Sequence, residues 1–189
     1  MHPLIEAAAD GRLPDWAEAS PRRLDHMARV AELMAAWARD LEPDPAGLAR
    51  WRAVAMLHDA LRDADPAALR PTLPSELRGL PDGLLHGPAA ADRLEADGVE
   101  DTAILTAVRW HTLGHPDLDR LGRALYLADF LEPGRHYAAD RHAALRDRVP
   151  YEMAAVLQEV LVERIGKTLR RGHPLRSPTV AFWNGVVDG

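Results

Sequence analysis

At 189 residues the chain is long enough for one domain with a substantial buried core, and its 47% hydrophobic and 28% charged content is that of a globular protein. The formal net charge is -6 and the 23 basic residues are spread along the chain, which argues against a nucleic-acid-coating surface. Cysteine is absent, so disulfides, thiolate ligands and nucleophilic thiols are excluded, and any metal must be held by histidine, carboxylate and water.

Ala, Leu and Arg dominate and β-branched residues are sparse, so intrinsic preference leans to helix and an all-α fold is expected. Met1-His2-Pro3-Leu4-Ile5-Glu6 lacks the basic start and apolar core of a signal peptide, and no apolar run approaches membrane-spanning length. A cytoplasmic location with no membrane partner is the expectation.

Residues 1–19 read as a short amphipathic helix and a lead-in with Gly11, Pro14 and Trp16, packed on a main body of 20–189 within a single domain. Ser20-Pro21 starts the first long helix, with Ser as N-cap and Pro at the first helical position, where its missing N–H costs nothing. This helix runs to about Asp40 on a stripe of Met27, Val30, Ala31, Met34 and Trp37, with His26 beside its first turn. Glu42-Pro43-Asp44-Pro45 cannot continue a helix and reads as a linker. A second helix is expected from about Gly47 to Arg62, apolar on Trp51, Val54, Ala55, Leu57, Ala60 and Leu61, with His58-Asp59 in its last turns. A histidine there complements the helix dipole, whereas an aspartate opposes it.

Residues 65–83, with Pro66, Pro71, Pro74 and Pro81, read as an irregular, mobile rim with one helical turn at Ser75-Glu76-Leu77. Leu84 to Pro88 leads into a helix over 89–96, which puts His86 just before a helix N-terminus. Glu100-Asp101-Thr102 opens the next helix with an acidic first turn, and Ile104, Leu105, Val108 and His111 share its inward face. Thr112 to Pro116 breaks it and leaves His115 in an exposed loop. In the helix over 118–131, Asp129 joins the apolar face of Leu121, Leu125, Tyr126 and Ala128, which is unfavourable unless something positive lies opposite. Glu132-Pro133-Gly134-Arg135 turns the chain. Helices over 150–171 and 179–187, joined through Gly172-His173-Pro174, read as structural, and His136, His142 and His173 are given no role.

Five apolar residues, Ala53 to Leu57, run directly into His58-Asp59, so an imidazole and a carboxylate fall where the pattern predicts burial. A buried carboxylate must be paired, protonated or bound to a metal. His26, His86, His111 and Asp129 each lie at the polar end of an apolar, helix-like segment and are the candidates to share that metal. Taken singly, each histidine is more often a hydrogen-bonded core or capping residue. The order His, His-Asp, His, His, Asp on successive segments is much more specific.

The motifs are Arg23 and His26 with Val30 and Ala31; Leu57-His58-Asp59; Leu85-His86-Gly87-Pro88; His111-Thr112 with Gly114; and the run Tyr126 to Arg135. On these residues the chain resembles the HD-domain superfamily of metal-dependent phosphohydrolases, named for the His-Asp pair that here is His58-Asp59. Within it the chain is most similar to the bacterial YqeK-like family of symmetrical dinucleoside-tetraphosphate hydrolases, from about Arg22 to Arg135 and weakly at Thr179 and Asn184. Two positions depart from the family pattern: Arg62 stands where lysine is usual, and Ala90 where glycine is expected. Arg62 keeps the charge but changes its reach and fork geometry.

The resemblance implies an HD-domain helical bundle in which His26, His58, Asp59 and Asp129 hold one metal, His86 and His111 hold a second, and Asp59 bridges them. It implies two divalent or mixed-valent ions, with iron favoured and Mn, Ni or Zn as alternatives, since imidazole-rich sites suit these better than Mg. A water bridging the pair would supply hydroxide at neutral pH. The implied substrate is a small molecule, a dinucleoside polyphosphate or nucleotide, with diadenosine tetraphosphate giving two ADP. Asp59, Arg62 and Arg135 are the candidate catalytic residues, and Arg23, Arg62, Thr112, Gly114 and Arg135 the candidate substrate contacts. Guanidinium matches phosphate bidentately, although any one of these arginines is as readily an ordinary surface residue. Nucleic acid is not an expected partner, and a homodimer is compatible. The rival readings are an HD-type hydrolase of nucleoside triphosphate, guanosine tetraphosphate or monophosphate; a non-catalytic metal or nucleotide sensor; and a structural all-α protein with scattered histidines.

Overall fold

The computed structural model describes residues 1–42, 44–135 and 137–188; Pro43 of the expected linker and His136 fall outside them. Among the described residues there are nine α-helices and no strand. They are α1 (Pro3–Ala9), α2 (Pro21–Leu41), α3 (Pro45–Leu57), α4 (Pro66–Leu69), α5 (His86–Ala96), α6 (Thr102–Trp110), α7 (Arg120–Leu131), α8 (Ala139–Arg170) and α9 (Ser177–Val187). The all-α expectation holds.

Helix α3 packs on both α1 and α2, while α5, α6, α7 and α8 pack in succession. The stripe of Met27, Val30, Ala31, Met34 and Trp37 is buried, as are Trp51, Val54, Ala55 and Leu57 on α3. Nearly every residue of α7 from Leu121 to Leu131 is buried, so this helix runs through the core and carries Asp129 into it.

Helix α3 stops at Leu57, five residues before the expected end at Arg62, and His58 is its C-cap. The His58 Nδ1 bonds to the Ala55 carbonyl at 2.7 Å, taking the acceptor that a continuing helix would offer to the amide of Asp59. Asp59 is thereby released into a tight turn, with Arg62 N bonding back to Asp59 O. The same device ends α6, where His111, also a C-cap, places Nδ1 2.8 Å from the Val108 carbonyl. His86, expected just before a helix, is instead the first residue of α5.

Ser20 makes no capping bond to α2. Its amide and hydroxyl both donate to Asp63 Oδ2, at 2.8 and 2.7 Å, while Glu18 N donates to Ala60 O. The lead-in is therefore a strap across the turn that carries Asp59.

The segment over 139–149, unread as helix in the sequence, is the first limb of α8. Arg141 and Glu163 lie 3.4 Å apart and Arg148 and Glu159 2.8 Å apart. In a straight helix a separation of 22 residues would put the first pair roughly 33 Å apart. The chain doubles back at Pro150 to Glu152, where Glu152 leaves helical geometry (φ -136°, ψ 36°), and the limbs 139–151 and 153–170 run antiparallel. The second limb then lies over α7.

Asp101 caps α6 through Ile104 N and accepts two bonds from Arg50, at 2.7 and 2.8 Å. Burial would raise its carboxyl, but the Arg50 guanidinium and the Ile104 amide outweigh burial and hold it below the ordinary value. Asp101→Ala should cost roughly 2 kcal/mol, lowering the melting temperature by about 4–8 °C. The contribution is full above about pH 4, the unfolded value, and is lost as pH falls through the lower folded value. Melting curves of wild type and variant should therefore converge in acid.

Candidate metal centre

Six polar side chains from five segments converge in the core: His26 from α2, His58 and Asp59 from the end of α3, His86 from α5, His111 from the end of α6 and Asp129 from α7. All six are buried, with Asp59 4% and Asp129 8% exposed. Asp59 is the hub. Its Oδ1 lies 3.1 Å from His86 Nε2 and 3.4 Å from His111 Nε2, and its Oδ2 lies 3.6 Å from His58 Nε2 and 3.8 Å from His26 Nε2. Asp129 Oδ1 is 3.3 Å from His26 Nε2.

The donor atoms of His26, His58 and Asp129 lie close enough together to hold one cation, as do those of His58, Asp59 and His111. His58 and His111 spend Nδ1 on helix-end carbonyls, so each presents the Nε2 lone pair to the cluster. The Nε2 atoms of His26 and His58 are buried without a hydrogen-bond partner among the described residues. Such atoms are costly in a dry core, and a divalent cation satisfies them. The donor set fits a divalent metal.

The charge states of His58, His86, Asp59 and Asp129 agree with that fit. Burial lowers His58 to about 4 and also lowers His86, so both rings are neutral at pH 7. Burial would raise Asp59, but the nearby His58 ring and the hydrogen bonds from His111 and His86 overcome it and hold the carboxyl well below the usual range. Asp129 is likewise ionised against its burial, through His26, Arg135 and Arg164. Neutral imidazoles and ionised carboxylates are the forms that bind metal.

Three residues given no site role in the sequence, Glu132, Arg29 and Arg164, complete the surroundings. Glu132, expected only to turn the chain, is buried and lies 3.3 Å from His26 Nδ1 through Oε1. Its Oε2 accepts from Arg29 Nε at 2.6 Å and Gly134 N at 2.7 Å. Burial opposes its charge, but His26, Arg29 and the Gly134 amide bring its carboxyl down to about 2. A glutamate after an apolar helix and before Pro-Gly reads locally as a turn, and its spacing from Asp129 was the available signal. The third is Arg164 on α8, 3.6 Å from Asp129 Oδ2, donating to Thr112 O and lying over the Tyr126 ring at 4.3 Å. It is the positive group opposite Asp129 together with Arg135, whose Nη2 is 2.7 Å from Asp129 Oδ1.

A cavity of about 720 Å³ opens onto Asp59, His86, His111 and Asp129. Arg23, Arg62, Thr112 and Arg135 line it, as do Pro81 and Gly83 of the rim. Arg23 holds Asp59 Oδ2 at 2.6 Å, whereas Arg62 makes no ion pair among the described residues. Gly114 does not line the cavity: it is buried at φ +75°, and a Cβ there would run into the Phe182 ring. Its place is explained by backbone conformation and packing.

His115, expected to be exposed, is half-buried with its ring stacked on Trp110 at 4.8 Å. His142, expected to lack special surroundings, is fully buried beside Phe130 and Tyr137 and 3.5 Å from Glu163. His173 is exposed at the cavity rim. No helix among the described residues is long and apolar enough to cross a membrane.

A family model described as the HD domain matches residues 23–134, which contain all six converging side chains. The chain belongs to the HD-domain family. Three bacterial relatives are named bis(5'-nucleosyl)-tetraphosphatase, symmetrical. The one from Halalkalibacterium halodurans is 30% identical over 107 residues, 56% of each chain. Those from Bacillus subtilis and Staphylococcus aureus are 29% identical over 125 residues (64% of each chain) and 28% identical over 120 (60% of each). The matched stretch thus spans less than two thirds of these relatives' length. The HD fold is also that of a crystal structure from Clostridium acetobutylicum described as a predicted HD superfamily hydrolase involved in NAD metabolism. That match has TM-score 0.76 and 22% identity, covering 89% of this chain and 90% of the other.

Proposed function

We propose that this HD-domain chain is a metal-dependent phosphohydrolase that cleaves dinucleoside tetraphosphates symmetrically, diadenosine tetraphosphate giving two ADP. The observation that carries the reading is the division of Asp59, with one oxygen towards His86 and His111 and the other towards His26 and His58. A carboxylate shared in this way suits a dinuclear site, with His26, His58, Asp59 and Asp129 on one ion and Asp59, His86 and His111 on the other. Four imidazoles and two carboxylates favour iron, Mn, Ni or Zn over Mg, and the family resemblance favours iron. Ions held there supply Lewis acidity and a water acidic enough to ionise near neutral pH.

The chain's own residues hold and orient. Bonds from Nδ1 to the Ala55 and Val108 carbonyls fix the tautomers and aim of His58 and His111. Glu132 does the same for His26. Arg23, Arg62, Arg135 and Arg164 line the cavity beside the centre and answer the negative charge that grows on phosphoryl oxygens. The leaving group of a polyphosphate is itself a weakly basic phosphate, so charge stabilisation matters more than a strong general acid.

Burial would lower His26, but Asp129 and Glu132 outweigh burial and raise it to about 9. Below that pH an incoming ion must displace the His26 proton. Metal loading at pH 7 should therefore release about one proton from this ring, and apparent affinity should fall as pH drops below 9. Calorimetric titration in buffers of different ionisation enthalpy measures that proton.

The decisive experiment is elemental analysis of protein purified without chelator, followed by chromatography of the products from diadenosine tetraphosphate. Two ADP supports the proposal. Activity confined to other nucleotides, releasing phosphate, pyrophosphate or triphosphate, indicates a different HD-type hydrolase. Tight binding without turnover indicates a sensor.

A further inference from the structure

Lys167 and Arg171 at the end of α8 and Arg176 at the start of α9 line the same cavity, beyond residue 134 where the HD match stops. None of the three side chains makes an ion pair or side-chain hydrogen bond among the described residues, although the chain carries a net charge of -6. The Lys167 ammonium lies 4.7 Å above the Tyr137 ring. It is pushed below its ordinary pKa by burial and then by the charges of Arg171, Arg135 and Arg164, against which Glu163 is a smaller opposing influence. Cations gathered in a cleft with no salt-bridge partner of their own repel one another and attract an anion.

The two ends of the donor cluster are flanked differently. Arg62 bears on His86, whereas Arg135 and Arg164 touch Asp129 and share their field with Lys167. Symmetrical cleavage of a tetraphosphate leaves two phosphates on each side of the broken bond, so positive charge is needed at both ends. We propose that Lys167, Arg171 and Arg176 form a phosphate-binding subsite at the Asp129 end, which holds the phosphates on one side of the scissile bond and selects a polyphosphate chain over a single phosphate ester. The cleavage position rests on the function proposed above; the anion subsite stands on its own residues.

The test is calorimetric binding of inorganic tripolyphosphate to the full chain and to K167Q/R171Q, with R12Q/R170Q as a control that removes the same charge outside the cavity. Affinity should fall about tenfold for each cavity cation removed, on the scale of one charge-assisted hydrogen bond, and change less than about twofold in the control. The kcat/KM for diadenosine tetraphosphate should fall in parallel. Should the double variant melt early, the single variants K167Q and R171Q carry the same test. No tripolyphosphate binding by the wild type, or equal affinity in wild type and cavity variants, overturns the subsite. Loss of tripolyphosphate binding in a chain that hydrolyses no dinucleoside tetraphosphate keeps the subsite and removes the proposed substrate.

Discussion

Asp59→Ala is expected to abolish metal retention and to lower hydrolysis by at least about 10³-fold, since removing even one preorganised electrostatic partner commonly costs 10²–10³. Among the described residues, Asp59 is the one carboxylate within 4 Å of four imidazoles. Its removal leaves Arg23, His58, His86 and His111 without the carboxylate they share. The fold should survive, because the apolar faces of α2, α3 and α7 do not depend on it. The measurement is metal content by elemental analysis, turnover, and far-UV circular dichroism on one preparation. Asp59→Asn, which keeps the volume and loses the charge, should behave alike. Full turnover in either variant would rule out a shared carboxylate.

Glu132→Gln should act one step further out. The glutamine still offers an oxygen to Gly134 N, but it no longer supplies the charge beside Arg29 and His26. Groups that orient a metal-binding histidine are typically worth about 10–100-fold in metal affinity, and a loss of that size is expected. Stability should fall as well, by roughly 2 kcal/mol, a figure at the low end for a buried charge because Arg29 is partly in solvent. Metal titration against a competing chelator and thermal melting separate the two effects. An unchanged metal affinity would show that His26 needs no help from Glu132.

Much of the centre was legible because burial of polar groups breaks a local pattern. His58-Asp59 closes an unbroken apolar run, and Asp129 sits between Ala128 and Phe130, so the anomaly is visible within a few residues. The stripe of α2 was equally clear from its spacing. Helix ends were less so. His58 and His111 stop their helices by binding a carbonyl three residues back, and sequence periodicity carries no mark of a side chain competing with the backbone. Gly114, a candidate substrate contact, packs against Phe182, which is 68 residues away in sequence and leaves no mark near the glycine.

The sequence by itself determined the all-α class, the residue types of a metal site, and the absence of any thiol in it. Only the tertiary structure decided which oxygen of Asp59 faces which imidazoles, that Glu132 supports His26, and that α8 doubles back over α7 to bring Arg164 to Asp129. The physical reason is range. Propensity and hydrophobic period act within one or two helical turns, whereas pairing a buried charge with its partner is settled by contacts between segments that lie far apart along the chain.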